Sequence, residues 1–218
     1  ECIAGLHQPD QGVVVLKGKD ITALPPEMRG IGYVPQDYAL FPHLSVFENI
    51  AYGLRERGVS QRAVQQKVRS AAETMQIEYL LERGVLHLSG GERQRTALAR
   101  ALVLDCELLL LDESLSALDV VTTQELSLQL AELHRRLGLT VIHITHDFDE
   151  AFSLATHLGV FHRGRLLQVA TVEEAFSRPS CRTVAEFLGT ANVFPRAGTD
   201  PRRCPVVNRL YPAPEALA

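Results

Sequence analysis

Leu108-Leu109-Leu110-Leu111-Asp112-Glu113 decides how this chain is read. Four apolar residues in a row do not alternate, which is how a strand covered on both faces of a parallel sheet reads. Thr140-Val141-Ile142-His143-Ile144-Thr145 reads as a second buried strand, and a long helix, roughly residues 120–137, lies between the two. Working outward, residues 13–16 and 30–34 read as short strands, each β-branched and bounded by Gly or Pro. From Ser45 the period becomes helical, with Val46, Ile50 and Leu54 four apart. A second helix is predicted over residues 60–76, capped by Ser60, with Val64, Val68, Ala71 and Met75 on one stripe. Another opens at Leu88 and carries Ala97, Leu98, Ala101 and Leu102. Beyond the second buried strand, a helix over 147–155 and a hairpin turning at Arg163-Gly164 are predicted. Alternation of buried strand, helix and buried strand predicts an α/β fold with an open parallel sheet. A mostly helical stretch over about residues 45–104 interrupts it as a subdomain.

Composition narrows the function. The 218 residues suffice for one sizeable core, and a hydrophobic share of 46% with a charged share of 22% is ordinary for a folded domain. A net charge of -4 gives no basis for a nucleic-acid partner, which usually needs a basic surface. No apolar run approaches the roughly 20 residues that span a bilayer, so any membrane role is expected to come from docking on another protein. Cys2, Cys106, Cys181 and Cys204 form no C-x-x-C pair and read as reduced, mostly buried thiols.

Four patterns carry chemistry. In Leu88-Ser89-Gly90-Gly91-Glu92-Arg93-Gln94, Ser89 and Glu92 have capping-box spacing. A cap alone has no need of two glycines, which cost up to roughly 1 kcal/mol each against Ala. Glycine at a helix start permits close approach to an anion, where free N–H groups and the dipole favour negative charge. Asp112 and Glu113 end a strand on the carboxyl side, where ligands of open α/β sheets bind. One carboxylate there can hold Mg²⁺ and the other can orient water, although a solvated strand end has the same spelling. Thr145-His146-Asp147 ends the other strand, with His146 suited to a polar switch near a phosphate and Asp147 also able to cap the next helix. His143 and His146 are expected on opposite faces, which argues against a metal pair. Tyr33-Val34-Pro35-Gln36-Asp37 ends a strand with an amide able to reach a cation or a water.

In this fixed order, the motifs resemble the ATP-hydrolysing subunits of ABC transporters, from Cys2 through Leu188. Gln36 resembles the family's Q-loop glutamine, Leu88 to Gln94 its signature, and Leu108 to Glu113 its Walker B strand. Ser116-Ala117-Leu118-Asp119 resembles its D-loop, and His146 its switch histidine. The resemblance implies a P-loop NTPase-type fold with ATP and Mg²⁺ as cofactors. Glu113, His146 and Gln36 would be catalytic, Asp112 and Gln36 would serve the metal, and Ser89, Gly90, Gly91, Glu92 and Asp119 would face the nucleotide of a second, identical subunit. It further implies a peripheral protein on the cytoplasmic face of the membrane. Tyr38, Leu40, Phe41 and Pro42 would form an exposed apolar loop that receives a permease subunit. Pro26 to Gly32 and Tyr38 to His43 resemble importers of molybdate, tungstate or sulfate, with ferric-iron and polyamine importers as alternatives.

The sequence departs from the family at the G-x-x-x-x-G-K-S/T loop, which it does not contain; Cys2 to Leu6 resembles the last turn of the helix that follows that loop. The expectation is therefore an ATPase domain over residues 1–190 lacking its first core strand and phosphate loop, and inactive by itself. A non-enzymatic interaction subunit or a degenerate copy is the alternative. Ser114 stands where such importers usually carry Pro, and the Pro-rich residues 191–218 read as a tail or the stump of a regulatory domain.

Overall fold

The structure, a computed structural model, describes residues 1–114, 128–132, 134–135 and 138–189. They fall into two compact units, Glu1–Asp147 and Phe148–Ala218. The expected D-loop and the 191–218 tail lie outside the described residues, as does most of the helix expected over 120–137.

The first unit opens with a hairpin of β1 (Val15–Leu16) and β2 (Lys19–Asp20), shorter than the strand expected from residue 13. It turns at Lys17 and Gly18, with φ of 47° and 78°, so Gly18 belongs to a tight turn and Lys19-Asp20 to the strand that follows it. Arg29, 3% exposed, spends its guanidinium on backbone carbonyls: Nη1 donates to Cys2 and Ile3, Nη2 to Thr22 and Nε to Leu24.

The sheet that carries the chemistry is parallel, in the order β3 (Ile31–Val34), β4 (Leu108–Asp112), β5 (Thr140–Ile144). Val34 lies opposite Leu111, and Asp112 opposite Ile144. All four leucines of β4 are buried, as their unbroken run predicts for a central strand. β5 corrects the expectation of a second strand covered on both faces. Its burial alternates, with Ile142 and Ile144 exposed (41% and 54%) and Val141 and His143 half-buried. Alternate residues of a strand point to opposite faces, and the face that carries Ile142 and Ile144 is the exposed one.

Three helices form the inserted segment. α1 (Val46–Glu56) starts at Ser45 with a full capping box to Glu48. α2 (Gln61–Thr74) follows Ser60, whose side chain makes no capping bond, so the expected cap is absent; its buried stripe runs Val64, Val68, Ala72 rather than through Ala71. α3 (Gly90–Leu102) buries Ala97, Leu98, Ala99 and Ala101. Close approach of α3 to the sheet depends on Gly32 in β3. A methyl group there would meet Cys106 Sγ at 2.9 Å, Leu109 Cδ1 at 3.2 Å and Ala101 Cβ at 3.3 Å. Gly32→Ala is therefore expected to destabilise the protein by roughly 1–3 kcal/mol through overpacking; a urea midpoint equal to wild type would show that the layer has room.

The second unit contains α4 (Phe148–Leu154), then strands β6 (His157–His162) and β7 (Arg165–Thr171), paired antiparallel. Their turn falls at Arg163 and Gly164, where it was predicted, and both residues have positive φ. Helices α5 (Val172–Ser177) and α6 (Arg182–Phe187) complete a small core of Ala175, Cys181, Val184 and Leu188. The three described cysteines are free: Cys2 is exposed, Cys106 half-buried and Cys181 buried, so the thiols are less uniformly buried than expected. No helix among the described residues is long and apolar enough to cross a membrane.

Candidate functional site

Parallel pairing brings the carboxyl ends of the three strands to one edge, and the residues that follow them meet there. Glu113 follows β4 in the left-handed region, φ 46°, an uncommon conformation for a side-chain-bearing residue. Its backbone N–H donates to Ile144 O at 2.9 Å, continuing the pairing with β5 past the strand end. Gln36, two residues beyond β3, donates from Nε2 to Glu113 Oε2 at 3.0 Å. His146, two residues beyond β5, places Nδ1 3.3 Å from Glu113 Oε1. One carboxylate is thus met by a side chain from each neighbouring strand end, and the cluster stays open to solvent: the side chains of Glu113 and His146 are 33% and 71% exposed.

Asp112 sits beside it. Its Oδ2 accepts a hydrogen bond of 3.0 Å from the Tyr33 hydroxyl. Burial, then the Asp112 hydrogen bond and charge, push the Tyr33 phenol up to about 12, so it remains a donor at neutral pH. Tyr33 carried no role in the sequence reading. A signal was available: Tyr33 lies opposite Leu110, and Asp112 is two residues further on the same face of β4.

Ser89, Gly90, Gly91 and Glu92 form the start of α3, as their spacing predicts. Ser89 Oγ accepts from the Glu92 N–H at 3.3 Å, and the Ser89 N–H donates to Glu92 Oε2 at 2.7 Å. That bond from the Ser89 backbone is the main cause holding the Glu92 carboxyl below its ordinary range. Glu92 is thereby committed to the cap, with Tyr79 OH 3.4 Å from its other oxygen, while Ser89 and Gly90 remain exposed. The helix start and the Asp112–Glu113 pair hold separate sets of partners.

His143 and His146 have different surroundings. His146 joins Glu113, whereas His143 points into half-buried surroundings that push its imidazole down to about 4. Above pH 6.5 both states are neutral at this residue, and between 6.5 and about 4 only the unfolded chain takes up a proton. Stability contributed by neutral His143 is therefore present above 6.5 and lost as pH falls toward 4, by roughly 3 kcal/mol at most. Denaturant melts at pH 7 and pH 4.5 should show a smaller acid loss for His143→Leu than for wild type; equal losses would exclude His143 as the source.

Tyr38, Leu40, Phe41 and Pro42 correct the sequence reading. Tyr38 is buried (8% exposed), Leu40 and Phe41 are half-buried, and of the four only Pro42 is exposed. Phe41 packs on Tyr52, with ring centroids 4.5 Å apart, and Arg100 lies over it. The apolar side chains turn inward because α1 and α3 supply ring and guanidinium surfaces to cover them.

Among the described residues, no cluster of three His, Cys, Asp or Glu side chains could cage a metal ion alone. Asp112, Glu113 and the Gln36 amide are nevertheless hard oxygen donors, and Mg²⁺ is commonly held by one or two carboxylates with its remaining ligands from water and phosphate. The donor set fits that cation and suits no soft metal.

A sequence profile of the family described as "ABC transporter" matches residues 1–116, more than half of the chain. The chain belongs to the ABC transporter family. Within it, the chain is 50% identical to the molybdate/tungstate import ATP-binding protein WtpC of Pyrococcus horikoshii over 194 residues, 89% of this chain and 56% of that protein. It is 51% identical to the WtpC protein of Archaeoglobus fulgidus over 194 residues, 89% of this chain and 80% of that protein. The spermidine/putrescine import ATP-binding protein PotA of Frankia alni is 43% identical over 89% of this chain and 42% of its own length. The chain thus spans little more than half the length of the Pyrococcus relative. Its parallel sheet and helices agree with the α/β fold expected of this ABC transporter family member.

Proposed function

We propose that this chain is the ATP-hydrolysing part of an ABC importer for a small oxyanion, molybdate or tungstate, working as a dimer beneath permease subunits at the cytoplasmic face of the membrane. The observation that carries the catalytic half of this reading is Glu113, held between Gln36 and His146 at the carboxyl end of a parallel sheet. The solute half is supported by the identity near 50% to proteins named for molybdate/tungstate import.

In this reading Glu113 orients a water and accepts its proton, His146 polarises the phosphate side, and Gln36 reports on both. Asp112, steadied by Tyr33, and the Gln36 amide hold Mg²⁺, which when bound neutralises phosphate charge. Exposed Ser89 and the N–H groups of Gly90 and Gly91 face the nucleotide held by the second subunit, and Glu92 keeps that helix start in shape. Asp119 is assigned to the subunit interface by its place in the sequence. Residues 1–190 are assigned to the ATPase domain, about 45–104 to its helical subdomain, and 191–218 to a tail or the start of a regulatory domain. With Tyr38 buried, the permease contact of the 38–42 segment falls on Pro42 and the outer parts of Leu40 and Phe41.

The test is uptake by proteoliposomes carrying the complete transporter. ATP-dependent accumulation of molybdate or tungstate, with sulfate and spermidine as competitors, is the expected result. Spermidine uptake would move the chain to the polyamine class of its Frankia relative, and absence of ATP turnover would favour a non-enzymatic interaction subunit.

A further inference from the structure

We infer that Arg100, in the last turn of α3, is a positioning residue through which the helix that begins at Ser89 sets the segment following Gln36. The inference rests on the roles proposed above for Gln36 and residues 38–42, and adds the residue that controls them.

The segment needs holding. Tyr38 and Ala39 have φ of 63° and 42°, two consecutive side-chain-bearing residues in the left-handed region. Such conformations persist only where the surroundings over-determine them. Local bonds contribute little: Ala39 N–H donates to Asp37 Oδ1 at 3.2 Å, and Tyr38 N–H to Pro35 O at 3.0 Å. Arg100 supplies the grip. Its Nη1 donates to Ala39 O at 2.6 Å, its Nη2 to Tyr38 O at 2.7 Å, and its Cζ lies 5.6 Å from the centre of the Phe41 ring. A planar fork suits two adjacent carbonyls and an aromatic face at once, which a lysine point charge does not. Besides these contacts, the carboxylate of Asp37 in the same segment attracts the Arg100 charge, so that charge serves this segment.

Asn49 of α1, fully buried, fastens the far end. Its Oδ1 accepts from Phe41 N–H at 2.8 Å, and its Nδ2 donates to Phe41 O at 3.2 Å and Ser45 O at 2.9 Å. The segment is thus fixed to two helices, and only α3 also carries Ser89-Gly90-Gly91. α3 is one unbroken helix of 13 residues, about 20 Å long. A displacement at its glycine end reaches Arg100 as a rigid-body shift, moves the Tyr38 and Ala39 carbonyls, and so moves Gln36 against Glu113.

The test compares Arg100→Met and Arg100→Lys with wild type in the complete transporter. Amides of residues 39–41 are followed by hydrogen exchange, and ATP turnover is measured with and without the permease. In both variants, the 39–41 amides should exchange at least tenfold faster while those of residues 109–111 in β4 keep wild-type rates. Permease-stimulated kcat should fall at least tenfold, with KM for ATP within twofold of wild type. A purely structural role would instead lower thermal stability and raise exchange throughout α3. Unchanged exchange at 39–41, or faster exchange with undiminished stimulated kcat, would overturn the proposal. Should Arg100→Met not fold, Arg100→Lys decides alone. A wild-type transporter without permease stimulation would count against the proposed function, and the exchange arm would still decide the clamp.

Discussion

Glu113→Gln is expected to slow ATP turnover by the intact transporter by about 10²–10⁴-fold, the range a positioned general base contributes. The substitution keeps the shape of the side chain, its backbone bond to Ile144 O and its left-handed turn. What it removes is the capacity to accept a proton from water and to draw His146 toward Oε1. Nucleotide affinity should change by less than threefold, because in the proposed roles Glu113 orients the attacking water while Ser89, Gly90 and Gly91 face the phosphate. Single-turnover hydrolysis beside an equilibrium nucleotide titration separates the two effects. Turnover within threefold of wild type would reduce Glu113 to a solvated strand end, the reading its sequence also permits. Gln36→Ala should give a milder loss, since His146 still faces Glu113 when the 3.0 Å bond from Gln36 is gone.

The second large effect concerns the start of α3, where function and stability should move in opposite directions. Gly91→Asp places a carboxylate in the first turn, where negative charge complements the helix dipole and Asp has a better helix propensity than Gly. The expected result is a protein as stable as wild type, or more stable by about 0.3–1 kcal/mol. The same charge stands where the proposed phosphate binds, and ATP turnover should fall at least 10²-fold by like-charge repulsion. Denaturant melts and turnover assays on one preparation test both halves. If Ser89-Gly90-Gly91-Glu92 were only a helix cap, stability would rise and turnover would stay.

Much of this organisation is legible along the chain because it is local. The buried central strand follows from four leucines, the capping boxes of α1 and α3 from Ser45 with Glu48 and Ser89 with Glu92, and the β6–β7 turn from Arg163-Gly164. α5 carries the same kind of signal in Thr171 and Glu174, whose capping box is complete in the structure. Each of these features is decided within four residues, by propensity and by one reciprocal pair of hydrogen bonds.

Other features needed the folded chain. Ser60 precedes a helix as a cap should, yet its hydroxyl makes no capping bond. The exposed face of β5 depends on what packs against it, which its apolar composition does not record. The inward turn of Tyr38 and Phe41 depends on Asn49 and Arg100, eight or more residues away on two different helices. By itself the sequence determined the family, the central strand and the starts of α1 and α3, because motif order and short-range periodicity carry that information. Only the tertiary structure decided which side chains share the Glu113 carboxylate, that Tyr33 serves Asp112, and that Arg100 holds the segment after Gln36. Those are contacts between strand ends and helices far apart in the chain, and parallel pairing and helix packing set their distances.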